Sequence, residues 1–126
     1  MSWFAYIVGV VHVLVGLHAP HLGRGTVYGP FGRDPKAGGH PACDNPARLR
    51  TANESALSSY RAGLFVASKR HKCWDRLLVC SAHGNRCAVL PVADVGPDRA
   101  DLDIYVDAAK LLHHDGEGII YMEMPR

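Results

Sequence analysis

Asp94 is the residue of this chain best placed to do chemistry. It lies in residues 88–112, AVLPVADVGPDRADLDIYVDAAKLL, after an apolar run (Val89, Leu90, Val92, Ala93) and just before a Gly96-Pro97 turn. A carboxyl group carried to a turn by a buried strand is partly shielded from water, and shielding favours the protonated form that a general acid requires. The same side chain has a simpler role open to it, accepting backbone N–H bonds to cap the turn. Asp103 follows at the head of an alanine-rich segment, residues 102–112. There Tyr105, Ala109 and Leu112 share one helical face and Ala108 and Leu111 another, with Asp103 and Asp107 near the start, where acids suit a helix N-terminus. Asp103 is expected to cap that helix or, like Asp75, to stand as a further carboxylate beside a substrate groove.

Two aromatic residues, Tyr28 and Trp74, offer rings on which a ligand could stack. For Trp74, beside Cys73 in a small β domain, packing in the core is the competing role. The eight histidines are scattered, and neither they nor the cysteines show metal-ligand spacing, so no metal and no other cofactor is expected. Asn53-Glu54-Ser55 matches the N-glycosylation sequon.

These residues need elements to hold them. At 126 residues the chain is long enough for one well-packed domain and too short for two. Its 48% hydrophobic and 21% charged residues are those of a folded protein rather than a disordered one. Thirteen glycines and eight prolines favour a loop-rich, mainly β design. A net charge of +2, with no basic block longer than residues 69–72, gives no ground for a nucleic-acid partner. Residues 3–17, WFAYIVGVVHVLVGL, are apolar apart from His12. They are shorter than a comfortable bilayer span and of the length of a secretory apolar core, so residues 1–24 are read as a signal peptide or short signal-anchor with its linker. Their many valines would equally suit a buried strand. Any contact with a membrane is expected through this segment alone.

Short strands are expected at residues 26–28, 64–68, 74–80, 87–93 and 118–124, with Pro91 marking a bulge or an edge in the fourth. Residues 32–46 form a long polar loop, and residues 55–60 a helical turn or a polar connection. Cys43, Cys73, Cys80 and Cys87 are an even set beside a signal-like start, which points to two disulfides in an oxidising compartment. Three pairings are open. If Cys80 and Cys87 face each other across a hairpin, Cys43 is left for Cys73.

Three segments, in order, carry a resemblance. Residues 25–30, GTVYGP, resemble the opening strand of RlpA-like proteins. Residues 92–97, VADVGP, resemble that family's V-x-D-R-G-P motif, and residues 102–112 its D-L-S-x-x-A-A-x-x-L helix. The cysteine-bearing middle, residues 56–80, is similar to expansin and barwin domains. The resemblance covers residues 25–124 and implies a six-stranded double-psi β-barrel, spanning residues 25–126, with one short helix before the last strand. It further implies a secreted or surface-exposed, monomeric protein acting on wall polysaccharide, peptidoglycan first and β-glucan second. By this likeness Asp94 is the single acid/base of a lytic transglycosylase; Ser58, at the place of the family histidine, is expected to contact substrate together with the candidates Tyr28, Trp74 and Asp103. Three departures stand out: Val95 replaces the family arginine, Tyr105 the family serine, and Ser58 the family histidine. They give weight to a non-catalytic glycan-binding module of expansin or barwin type. A structural protein that uses the same barrel for assembly is the third reading.

Overall fold

The structure, a computed structural model, describes residues 20–34, 37–82, 85–98, 100–116 and 118–125. The signal-like run at residues 3–17 lies outside the described residues. In chain order the elements are β1 (His21–Tyr28), α1 (Pro46–Leu49), α2 (Glu54–Arg61), β2 (Val66–Ala67), β3 (Arg76–Ser81), β4 (Cys87–Asp94), β5 (Leu102–Tyr105), α3 (Val106–Leu112) and β6 (Gly118–Glu123). The six strands close into a mixed barrel in the order β1-β5-β2-β4-β3-β6. The pairs β1–β5 and β2–β4 are parallel and the other four antiparallel. The mainly β barrel with a short helix before its last strand is thus the architecture expected from the sequence.

Two hydrophobic clusters hold it together. The first fills the barrel and includes Val66, Leu77, Leu90, Val92, Leu102, Ile104 and Leu112. The second lies outside, where Tyr28, Phe65, Ala67, Trp74 and Ala93 meet side chains of α1, α2 and the long loop. Successive strand residues point to opposite faces. That alternation sends Val92 into the barrel and Ala93 into the outer cluster, and it splits Val66 from Ala67 in the same way. Strands buried on both faces read as unbroken apolar runs, which is why Leu90–Ala93 shows no polar alternation. Pro91 is tolerated within β4 because Val92 N–H points to the β3 side, donating to Asp75 O at 2.8 Å. The N–H that Pro91 lacks therefore falls on the β2 side, where pairing starts only at Val92.

Asp103 does not cap a helix; it sits in β5. Leu102 and Ile104 are both 0% exposed, and the two-residue alternation they set is that of a strand beside β1. The helix starts only at Val106, its N-cap Tyr105 makes no side-chain cap bond, and it ends at left-handed His113 rather than at Gly116 or Gly118. His113 is exposed and His114 buried, its Nε2 lying 2.6 Å from Gly25 O. β1 begins at His21 and uses residues 21–24 to pair with β6, so the barrel starts ahead of Gly25. Residues 55–60 belong to a true helix, α2, capped by Asn53, whose side chain accepts from Ala56 N–H at 2.7 Å.

All four cysteines are bridged, as Cys43–Cys73 and Cys80–Cys87. Cys80 and Cys87 stand directly opposite in the β3–β4 ladder. Cys43 anchors the long loop against β4, where its N–H also donates to Ala93 O at 3.0 Å. β1 stops at Tyr28 because Gly29 turns with φ +100°. A side chain at Gly29 would also strike the Tyr105 ring, 2.7 Å from where its Cβ would lie.

Candidate functional site

Asp94 is the last residue of β4, held at the rim of the barrel by Ser68 N–H, which donates to Asp94 O at 3.0 Å. Its side chain is half-buried and well bonded. Oδ1 accepts the N–H groups of Ala42 and Val95, both at 2.9 Å, and Oδ2 accepts the Tyr28 hydroxyl at 3.1 Å. A carboxylate offers about four lone-pair positions, so among the described residues these three donors fill all but one, on Oδ2. The bond from Ala42 ties the long loop to the barrel beside the Cys43 bridge.

A cleft of about 390 Å³ opens at this carboxylate, lined among others by Thr26, Tyr28, Asp34, Asp94, Gly96 and Asp103. The three acids come from different parts of the chain. Asp103 is the β5 neighbour of Thr26 in the parallel ladder and accepts its hydroxyl at 2.8 Å. Asp34, from the turn after β1, accepts Gly29 N–H at 3.0 Å. Among the described residues, no lysine or arginine lines the cleft. Such a surface receives hydroxyl donors, because ionised carboxylates only accept hydrogen bonds. Among the described residues, no group of three histidine, cysteine or acidic side chains is placed to hold a metal ion.

The residues named from the sequence divide accordingly. Asp94, Tyr28 and Asp103 meet at one cleft. Tyr28, only 8% exposed, contributes its hydroxyl rather than a ring face, since its ring is wedged edge-on against Phe31 and Tyr105. Trp74 is 7% exposed, donates its indole N–H to Arg48 O at 2.8 Å and packs on Tyr60. It packs in the outer core under α1 and lines a different pocket, with Arg48 and Asp75. Ser58 is exposed on α2 and does not line the cleft. Asp75 is buried and accepts Lys72 N–H at 3.1 Å, a turn-closing bond. Thr26 and Asp34 were missed. Thr26 had a readable signal, because it shares the strand parity of Tyr28; Asp34 had none, sitting in a loop with no periodicity.

No family model, curated protein or solved structure matches this chain. Among the described residues, no helix is long and apolar enough to cross a membrane.

Burial, then the nearby Asp94 charge and hydrogen bond, hold the Tyr28 phenol neutral well above its ordinary range. A folded-state pKa raised above the unfolded value near 10 contributes stability that is complete below pH ~10 and is lost as pH rises beyond it. Tyr60 and Tyr121 are shifted upward as well, burial again being the main cause. Stability should therefore fall above pH ~10, and Tyr28→Phe should make that fall shallower by up to ~1.4 kcal/mol per pH unit, one proton's share. Urea unfolding at several alkaline pH values checks this; parallel pH profiles for the two proteins would show that Tyr28 is not held neutral.

Proposed function

We propose that the protein binds cell-wall polysaccharide through the cleft at Asp94, as a glycan-binding barrel that does not hydrolyse its ligand. The observation that carries this reading is the bonding of Asp94: three donors hold its two oxygens as acceptors on the wall of an acidic cleft. An oriented acceptor suits a sugar hydroxyl, and Asp103 and Asp34 extend the same surface along the cleft. Peptidoglycan is the first substrate to test, because the motifs at residues 92–97 and 102–112 resemble RlpA-like proteins most. The two disulfides are compatible with an extracytoplasmic protein, and secretion by way of residues 1–24 belongs to this proposal.

Room for a proton on Oδ2, where among the described residues only Tyr28 donates, favours a second reading, single-acid lytic chemistry. In that step Asp94 gives its proton to the glycosidic oxygen as the bond to C1 breaks. The 6-hydroxyl of the same sugar then closes on C1, and its proton returns to Asp94.

Amide NMR during titration with soluble glycan strands locates the ligand. Shifts at Thr26, Val95, Gly96 and Asp103 are expected. A cleft that stays silent while the sugars bind elsewhere, or not at all, contradicts the proposal.

A further inference from the structure

We propose a second binding site, which takes the end of a peptide or amino acid carrying a side-chain ammonium and a free carboxylate, as in a C-terminal lysyl residue. This inference does not rest on the glycan reading. The site is a pocket of about 480 Å³, larger than the Asp94 cleft, and Phe31, Phe65, Tyr105, Asp44, Asp107 and Arg61 are among its lining residues. It is set off from that cleft by the rings of Tyr28, Phe31 and Tyr105, which pack on one another.

One wall is aromatic. Phe31 and Phe65 stack on Tyr105 with ring centroids 5.4 and 4.4 Å away and planes 18° and 19° apart. Phe31 and Tyr105 are only half-buried, so ring surface remains for a ligand. An aromatic face attracts an alkylammonium group and packs against its methylene stem.

The charges select the sign. Asp44 comes from the long loop and receives the Tyr60 hydroxyl. Asp107 is exposed in the first turn of α3. The pocket is also lined by Ala62, the C-cap of α2; the Ser58, Ser59 and Tyr60 carbonyls there already accept backbone N–H groups, so the helix end contributes only its dipole, which favours a cation. Two carboxylates and a helix C-terminus outweigh the single guanidinium of Arg61. A neutral sugar gains nothing from this field. Arg61, exposed in the last turn of α2, supplies the fork that a carboxylate takes. Gly63 lets the turn after α2 pass close to Asp107: its φ is +81°, and a Cβ there would collide with the Asp107 carboxylate. The chain can therefore turn close under Asp107 and leave that group at the pocket wall.

Amide NMR on the whole protein tests the proposal with three probes: Nα-acetyl-lysine, its C-terminal amide, and Nα-acetylnorleucine, which lacks the ammonium. Nα-acetyl-lysine at millimolar concentration should shift Ala62, Gly63 and Asp107. Nα-acetylnorleucine should bind about tenfold more weakly or worse, the equivalent of one charge-assisted contact. Asp107→Asn should weaken Nα-acetyl-lysine by a similar factor. Arg61→Gln should weaken the acid but not the amide. Asp94→Asn should leave all three unchanged, which separates this site from the glycan cleft. Equal binding of the norleucine probe, no shift in the pocket, or a response there to sugar oligomers instead would overturn the proposal.

Discussion

Replacing Cys43 and Cys73 together by alanine should lower the free energy of unfolding by about 3–4 kcal/mol, and replacing Cys80 and Cys87 by only about 2–2.5 kcal/mol. The difference follows from what each bridge closes. Cys43–Cys73 spans 30 residues, Cys80–Cys87 only 7, and the unfolded chain loses more freedom when the longer loop is tied. Native contacts act in the same direction. Cys43 is buried in the outer cluster with Trp74 and Phe65, and its bridge keeps the long loop on β4. Cys80 and Cys87 already face each other across a hydrogen-bonded ladder, so β3 and β4 stay together without sulfur. Urea unfolding of the two double variants measures both losses. Equal losses, or a larger one at Cys80–Cys87, would mean that the long loop is held by something other than its bridge.

Asp94→Ala should cost about 2–4 kcal/mol of stability, while Asp94→Asn should cost about 1 kcal/mol or less. Alanine removes the acceptor of three donors at once: Ala42 N–H, Val95 N–H and the Tyr28 hydroxyl. Water can reach the first two, since Ala42 and Val95 are exposed. Tyr28 is only 8% exposed and its bond to Asp94 is half-buried, so losing this partner carries most of the cost. Asparagine has the same shape. Its amide oxygen can keep both N–H bonds, and its NH₂ can donate to the Tyr28 oxygen, because a hydroxyl both gives and accepts. The asparagine variant therefore keeps the clamp and removes the charge, which makes it the right variant for functional work. If alanine and asparagine were equally mild, Asp94 would not be holding the loop to the barrel.

Several parts of this molecule were legible in the residues themselves. The apolar run before Asp94, the Gly29-Pro30 stop after Tyr28 and the even set of cysteines led to a small, mainly β, disulfide-bonded domain; the barrel itself was expected from the family resemblance. Pro91 sits at a position with no partner on one side, as its chemistry demands. The convergence of Asp94, Tyr28 and Asp103 was anticipated only through family resemblance, because their meeting depends on β1 lying parallel to β5 and β2 to β4. Such crossed pairings join residues far apart in the chain, and local periodicity carries no trace of them. Asp103 misled for a related reason: residues 102–112 do contain helical spacing, but their first four residues are taken by β1 as a strand. Residues 21–24 read as linker because a His-Leu-Gly-Arg stretch has little β propensity; they are strand because β6 pairs with their backbone. Trp74 was expected at the surface or in the core, and the outer cluster decided for the core. That cluster forms only once α1 and α2 lie over the sheet.

The central claim is that the acidic cleft at Asp94 holds a wall glycan without cutting it. Co-sedimentation with purified peptidoglycan, with the soluble fraction analysed for 1,6-anhydro products, tests it most directly when wild type and Asp94→Asn are run side by side. Wild-type protein should pellet with the wall, Asp94→Asn should pellet markedly less while remaining folded, and neither should release anhydro products. Release of those products by wild type alone would replace binding with lytic chemistry at Asp94. Equal pelleting of the two proteins, or none by either, would contradict the claim that this cleft is where a glycan is held.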